Sequence, residues 1–307
     1  MWAAIGAAAV VVTGVIVVAA GSDGSSGWRE LAQPPLSPRE YPTGFWTGEE
    51  VILVGGSDAP PCPPNAECEA PSEPPLADGA AYDPEADTWR AIADAPVRFS
   101  WAQPLVVGST AYLWIAGEPW RPQAPSAFLA YRIREDRWEE LDMPTHPASY
   151  QLVAAGDRIV AVSGSDEEEE RRDLVYDPSS SEWSELPPDP FSPGFDRVAV
   201  WDGEELLLFD HELTEDLSGD LPLRAAAFDF ESGAWHELEN PDLAWAQARP
   251  QPGFSSGPPM PEEAEGGTTE VEAGDDRFVF LGSSEAEDQG WSEGKLVSRA
   301  WLWSPRP

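Results

Sequence analysis

Aromatic rings next to side-chain amides are the residues of this chain that could perform specific binding chemistry. They fall in Trp101-Ala102-Gln103, Tyr150-Gln151 and Trp245-Ala246-Gln247, with an arginine near the first and the third. A ring stacks on the apolar face of a sugar, and amides and guanidinium groups hydrogen-bond its hydroxyls. The alternative is that these side chains pack around inner strands. The candidate ligand-binding residues are Trp101, Gln103, Tyr150, Gln151, Trp245, Gln247, Arg98 and Arg249.

Residues suited to acid–base or nucleophilic catalysis are scarce. The three histidines, His146, His211 and His236, are far apart in the chain, and none belongs to a His-Glu-x-x-His motif. The sequence also lacks a Gly-x-Ser-x-Gly nucleophile motif and a glycine-rich phosphate loop. We therefore predict no catalytic residue, no metal ligand and no cofactor.

Acidic residues dominate the composition. The chain has 56 Asp and Glu against 18 Lys and Arg, which gives a formal net charge of −38. This charge excludes nucleic acid as a partner, because phosphates are bound by basic faces. Acidic runs such as 166–170 could attract divalent cations weakly or bind a basic partner. A solvated, salt-adapted (halophilic) surface is the alternative, and no Asp-x-Asp-x-Asp-Gly calcium loop is present.

A repeated pattern, an aromatic residue seven positions before a tryptophan, indicates which strands and hairpins hold the candidate binding residues in place. This pairing recurs at intervals of roughly 50 residues, a period typical of repeat arrays with one propeller blade per unit. In the unit around Tyr176 and Trp183, a two-residue turn at Ser179-Ser180 would place the two rings opposite each other on one face of a hairpin. The repeated pairs are Tyr82 with Trp89, Tyr131 with Trp138, Tyr176 with Trp183 and Phe228 with Trp235.

A fifth pair is divided between the two ends of the chain. Trp303-Ser304-Pro305 aligns with Tyr82-Asp83-Pro84, and the segment after Trp28 matches the segment after Trp183. We therefore predict an all-β fold, a five-bladed β-propeller of four-stranded antiparallel blades. The N-terminal strand would complete the last blade and close the ring. The predicted units are an outer strand at 28–36 and blades at 41–92, 99–142, 149–187, 195–239 and 268–307.

The repeat resembles the kelch repeat of the galactose-oxidase-like superfamily, in its exported bacterial form. The resemblance rests on Gly55-Gly56 after a strand and on a Tyr separated by six residues from a Trp, and it covers about 28–307. Later blades carry single glycines, and Asp210 replaces the glycine in the fourth. The resemblance implies a binding module in most members. It implies a copper site with a Tyr–Cys crosslink in a subset, for which this sequence lacks a histidine near a matching tyrosine.

The first 20 residues of the chain are predicted to form an element separate from the propeller. Residues 3–20 are an apolar run interrupted only by glycine and Thr13, and Val18-Ala19-Ala20 fits a signal-peptidase site. A cleaved signal peptide and a retained membrane-anchoring helix both remain open. Either one predicts an extracytoplasmic propeller, with 21–27 as a flexible tether.

The two cysteines, Cys62 and Cys68, agree with export. They bracket five residues inside the first blade, and the chain has no other cysteine. In an oxidising compartment this spacing predicts a small-loop disulfide.

These observations predict a non-catalytic ligand-binding or scaffold module at the cell surface, tethered to the membrane. Its partner would be a carbohydrate or an envelope protein. A sugar-active propeller enzyme is the first alternative, and it would need two carboxylates about 5–10 Å apart. A structural domain of an envelope complex is the second.

Overall fold

The computed structural model describes residues 27–60, 74–117, 126–144, 150–164, 172–191, 194–212, 221–248, 268–284 and 295–304. Within them, twenty strands form five four-stranded antiparallel sheets. Four sheets take their strands in chain order, as an antiparallel meander does. The prediction of a five-bladed β-propeller is confirmed.

The first four blades each run from an inner to an outer strand. The first contains β2 (Thr43–Trp46), β3 (Val51–Val54), β4 (Gly79–Asp83) and β5 (Thr88–Ile92), and the second β6 (Gln103–Val107), β7 (Thr110–Ile115), β8 (Ala127–Arg132) and β9 (Arg137–Leu141). The third contains β10 (Tyr150–Ala155), β11 (Arg158–Ser163), β12 (Leu174–Asp177) and β13 (Glu182–Glu185), and the fourth β14 (Gly194–Trp201), β15 (Leu206–Glu212), β16 (Leu223–Asp229) and β17 (Ala234–Glu237).

The fifth blade combines both ends of the described chain. It contains β18 (Thr268–Ala273), β19 (Asp276–Ser284), β20 (Lys295–Trp303) and, as its outer strand, β1 (Trp28–Glu30). Trp28 lies opposite Trp303, as the alignment of the divided repeat predicts. The side chain of Arg29 also reaches the first blade, where it bonds the Tyr82 hydroxyl at 3.1 Å and Asp87 at 2.8 Å. The N-terminal strand therefore completes the fifth blade and ties it to the first.

The second strand of each blade is the most deeply buried. In β3 every residue is buried, and β7 is buried along its whole length. Because each blade is covered by a neighbour on both sides, its middle strands are continuous apolar runs rather than alternating ones. The first-to-second strand turns contain glycines with positive φ, such as Gly108 at 60° and Gly156 at 64°.

The paired aromatic rings lie opposite each other, as the seven-residue spacing predicts. Tyr82 faces Trp89 and Tyr176 faces Trp183, each with 5.0 Å between ring centroids. The prediction of a two-residue turn was wrong, because the loop after Asp177 spans Pro178 to Ser181 before pairing resumes at Glu182. Ser181, the last residue of this loop, has a left-handed backbone with φ 61°, and strand pairing resumes directly after it.

Two blades use an aspartate at this left-handed position. Asp87 and Asp136 have φ of 55° and 47°, and each accepts a 2.7 Å hydrogen bond from the hydroxyl of its blade's tyrosine. Burial and this bond raise the pKa of Tyr82 to about 12. The carboxylate therefore fixes both the turn and the buried ring.

The repeat tryptophans of the first four blades also fix each of these blades to the preceding one. The acceptor is in every case the backbone carbonyl four residues after the previous repeat tryptophan. The bonds run from the indole Nε1 of Trp89 to Ala32 (2.9 Å), of Trp138 to Ala93 (2.8 Å), of Trp183 to Asp142 (2.8 Å) and of Trp235 to Pro187 (2.7 Å). This bond explains why the repeat requires tryptophan and not another aromatic residue.

The junction between the fourth and fifth blades differs from the others. Buried residues of neighbouring blades merge into one apolar cluster at the four other junctions. Between the fourth and fifth blades the buried residues form two separate clusters, one around Phe209 and one around Trp301. A helix, α1 (Pro241–Ala248), packs on the fourth-blade side through Trp245 and Ala244.

Residues 1–20, predicted as a signal peptide or membrane anchor, lie outside the described residues, as do Cys62 and Cys68. In the part of the chain that the structure describes, no helix combines the length and apolar composition needed to span a bilayer.

The inter-blade bond predicts that Trp183→Phe lowers the free energy of unfolding by about 1 kcal/mol more than Trp201→Phe. Trp201 is a suitable control because it packs in the core, but its indole N–H makes no hydrogen bond within the described structure. Urea denaturation of both variants measures the difference. Equal losses would show that the bond contributes nothing and that only ring size matters.

The shared fifth blade predicts that a chain beginning at Ser37 loses its native state. The truncation removes β1, the outer partner of β20, together with the buried side chains of Leu31 and Leu36. We expect a lower melting temperature or concentration-dependent oligomers by thermal scanning and light scattering. A chain beginning at Gly27 is the control, and identical behaviour of the two would contradict closure by β1.

Candidate ligand-binding face

The candidate residues near the first two blades lie on one face of the propeller, which we call the upper face. It carries the blade-to-blade connections, including Tyr41 and Arg98–Gln103, and the connections between second and third strands. The opposite, lower face carries the hairpin turns within each blade and the start of β1. The upper face is where the described structure concentrates exposed aromatic rings.

Trp101 is exposed on the connection between the first and second blades. Its side chain is 53% accessible, although Ala102 beside it is fully buried. The backbone N–H of Ala102 donates to Thr43 Oγ1 at 2.9 Å, which fixes the connection against β2. Gln103 begins β6, and its side-chain amide makes no hydrogen bond within the described structure.

Arg98 lies three residues before Trp101 on the same connection. It is exposed, and its Nη1 donates to the carbonyl oxygen of Pro75 at 3.2 Å. One connection therefore carries Arg98, Trp101 and Gln103, and their closeness follows from their closeness in the sequence.

Tyr41 is a further exposed ring that the sequence analysis missed. It is 54% accessible and precedes β2 by two residues, the position that Trp101 holds relative to β6. The strand registers make these positions equivalent, because Thr43 pairs with Val54 and Gln103 with Trp114. No residue type recurs at this position of the repeat, so only the strand register shows that Tyr41 and Trp101 are equivalent.

Tyr150 and Gln151 use their polar groups inside the fold. The hydroxyl of Tyr150 donates to the carbonyl of Arg172 at 3.0 Å, and its ring is buried against Trp114. The amide of Gln151 bonds both the N–H and the carbonyl of Ala199 in the next blade, at 3.0 and 3.2 Å. This arrangement favours packing, the alternative left open for these two residues.

Inner-strand positions equivalent to Gln151 form similar links elsewhere. Thr269 Oγ1 donates to the carbonyl of Pro42 at 2.8 Å, and Thr43 Oγ1 accepts from Ala102. Each side chain thus reaches the backbone of the next blade near the central channel. Gln103 occupies the same register position, yet its amide lacks such a link within the described residues.

Trp245 and Gln247 are not equivalent to Trp101 and Gln103. The structure places them on α1, where Asn240 caps the helix through its Oδ1 and the N–H of Leu243, and proline occupies the first helical position. The Trp245 ring packs edge-on against Phe209 at 5.2 Å, and Gln247 is exposed. Arg249 lies outside the described residues.

Arginine–aspartate pairs occupy much of the described upper face, and the sequence analysis did not anticipate them. The guanidinium of Arg39 is fully buried and binds both carboxylate oxygens of Asp78 at 2.8 Å. These hydrogen bonds hold the pKa of Asp78 below its ordinary value. The other pairs are Arg197 with Asp173 and Asp189, and Arg224 with Asp210.

Histidines and metal-binding groups add no site among the described residues. His211 stacks on Phe195 with ring centroids 5.6 Å apart, and the exposed His236 lies 3.7 Å from Glu205. No group of three or more His, Cys, Asp or Glu could hold a metal ion in the described ranges. His146 and most of the acidic loop residues, including 166–170, lie outside them.

No family model and no curated protein matches the chain. Among solved structures, the structure of YjhT aligns with a TM-score of 0.45 and 15% identity, covering 81% of this chain and 74% of that one. The β-propeller assignment rests on the five sheets of the chain itself.

Proposed function

We propose that this chain is an exported, membrane-tethered, kelch-like propeller that binds a carbohydrate at its upper face without transforming it. The observation that carries the proposal is the exposed ring of Trp101, two residues before Gln103, whose amide makes no hydrogen bond within the described residues. More than half of the Trp101 surface is open to solvent, and a stacked sugar would cover the apolar face of its indole ring.

The kelch-like part of the proposal is supported by the roles of its residues. Gly55 and Gly56 have positive φ of 71° and 97°. A Cβ at Gly55 would lie 2.6 Å from the carbonyl oxygen of Phe99, so a larger residue would displace the connection to the second blade. The Gly-Gly pair therefore shapes the segment that presents Trp101.

Among the described residues of the upper face, the charge pairs favour binding over glycoside hydrolysis. A hydrolytic acid needs a carboxyl group with a raised pKa, free to donate its proton. The pKa of Asp78 is lowered by Arg39, and Asp173 and Asp210 are held by Arg197 and Arg224. These three carboxylates are therefore engaged by guanidinium groups.

The position of Trp28 sets the face from which a membrane tether would leave. Gly27 and Trp28 lie at the lower face, since Trp28 pairs with the end of β20. A tether formed by 21–27 would leave from that face. The upper face would then point away from the membrane, toward ligands outside the cell.

The test is binding of the chain from residue 27 onward to immobilised polysaccharides and peptidoglycan at high salt. We expect Trp101→Ala to weaken binding by about tenfold or more, as removal of a central aromatic contact does. Leu243→Ala is the matched control, because Leu243 is 52% exposed but lies on α1 of the fourth blade.

Two results would contradict the proposal. Unchanged sugar binding by Trp101→Ala would place the site elsewhere. Binding to a purified envelope protein with no binding to any sugar would favour the scaffold function instead.

A further inference from the structure

The backbone of Tyr41 is in a strained conformation. Its φ is 52°, in the left-handed region that bulky L-residues rarely adopt. Four other non-glycine residues of the described chain have positive φ: Asp87, Asp136, Ser181 and Asp196. These have small polar side chains, which tolerate this region better than a tyrosine does.

The residues before Tyr41 are held firmly. Arg39 donates to the carbonyl of Gly55 at 3.0 Å and to Ser37, in addition to its pairing with Asp78. Glu40 exchanges two backbone hydrogen bonds with Ser57, at 2.8 and 2.9 Å. The chain therefore reaches Tyr41 with little freedom.

The residues after Tyr41 are held as well. Pro42 restricts its own φ, and its carbonyl accepts the hydroxyl of Thr269 from the fifth blade. Thr43 bonds the connection of the second blade through Ala102. Because both flanks are fixed, the surrounding structure imposes the strained conformation.

Packing does not account for this strain. The ring of Tyr41 is about half exposed, and within the described structure it contacts no other aromatic ring and its hydroxyl makes no hydrogen bond. Strained residues that the fold over-determines are concentrated at functional sites. Asp196 occupies the equivalent position at the start of the inner strand of the fourth blade and has the same φ of 52°, so the fold imposes this conformation at more than one blade entry. At Tyr41 the position carries a bulky ring and leaves it exposed, which points to a role for that ring.

Tyr41 and Trp101 are neighbours on the upper face. They occupy equivalent positions in adjacent blades, and the 2.9 Å bond between Thr43 and Ala102 joins their segments. Standard backbone dimensions limit the separation of their Cα atoms to about 17 Å. A single extended ligand can therefore reach both rings.

We propose that Tyr41 and Trp101 form a two-ring platform that stacks separate sugar units of one uncharged glycan chain, with Gln103 hydrogen-bonding its hydroxyls. This inference rests on the proposed function and adds a second ring and a ligand class. The net charge of −38 repels acidic glycans. Arg98 beside Trp101 disfavours a lysine-rich or arginine-rich peptide, so an uncharged chain fits the local charges best.

The experiment compares Tyr41→Gly, Tyr41→Phe and Trp101→Ala by calorimetric titration with cellohexaose, mannohexaose and chitohexaose. We expect Tyr41→Gly to weaken hexasaccharide binding about tenfold or more, and Tyr41→Phe to change it less than threefold, because stacking needs the ring and not the hydroxyl. Both single-ring variants should approach the affinity of the corresponding monosaccharide.

Thermal unfolding separates a binding role from a structural one. Glycine relieves the strain at φ 52°, so the melting temperature of Tyr41→Gly should stay the same or rise by up to about 4 °C. A variant at least as stable as the parent, yet impaired in binding, would support a functional ring. A clear fall in melting temperature with unchanged binding would show that Tyr41 is structural and overturn the inference.

The outcomes also distinguish this inference from the proposed function. If Trp101→Ala loses binding and Tyr41→Gly retains it, the two-ring platform is wrong and the proposed function stands. If the parent binds no hexasaccharide but binds an oligolysine peptide in a Tyr41-dependent way, the ligand class is wrong. If neither ring affects sugar binding, both proposals fail.

Discussion

In each of the first four blades, a hydrogen bond from an indole N–H to a backbone carbonyl joins the repeat tryptophan to the preceding blade. The donor faces its own blade's aromatic partner, and the acceptor lies four residues after the previous tryptophan, so one residue fixes both the hairpin and the spacing between blades. The same bond connects the fifth blade to the first, because the indole of Trp89 in the first blade donates to Ala32, which follows the fifth-blade strand β1. A propeller whose blades are held at fixed spacing can present its connecting segments rigidly.

Buried charges add a second constraint on the upper face. Arg39 is fully buried and joins the segment before β2 to Asp78 and Gly55. A buried guanidinium is costly unless every donor is paired, so its bonds also define the path of the chain around it. This fixed path is what holds Tyr41 in its left-handed conformation and leaves its ring exposed.

The candidate site is concentrated at the junction of the first two blades. Inner-strand side chains such as Thr269 and Gln151 are used to link neighbouring blades. At Gln103, two residues after the exposed Trp101, the amide makes no such link in the described part of the chain. Equivalent positions of a repeat can therefore serve packing in one blade and be available for a ligand in another. The junction of the fourth and fifth blades departs from the repeat in a different way, through α1.

The sequence by itself determined the number of blades, their aromatic pairs and the closure by β1, because these depend on spacings that recur at a fixed period. It also assigned Trp101 and Gln103 to the connection between the first two blades, where the structure has them. It did not predict that Trp245 lies on a helix, because the similarity of two short segments ignores the Asn240 cap and Pro241 that begin α1. Only the tertiary structure decided that Gln151 bonds Ala199, that Arg39 pairs with Asp78 and that Thr43 bonds Ala102, which links the segments of Tyr41 and Trp101. These contacts join residues distant in the chain, and no local pattern encodes which partners the ring brings together.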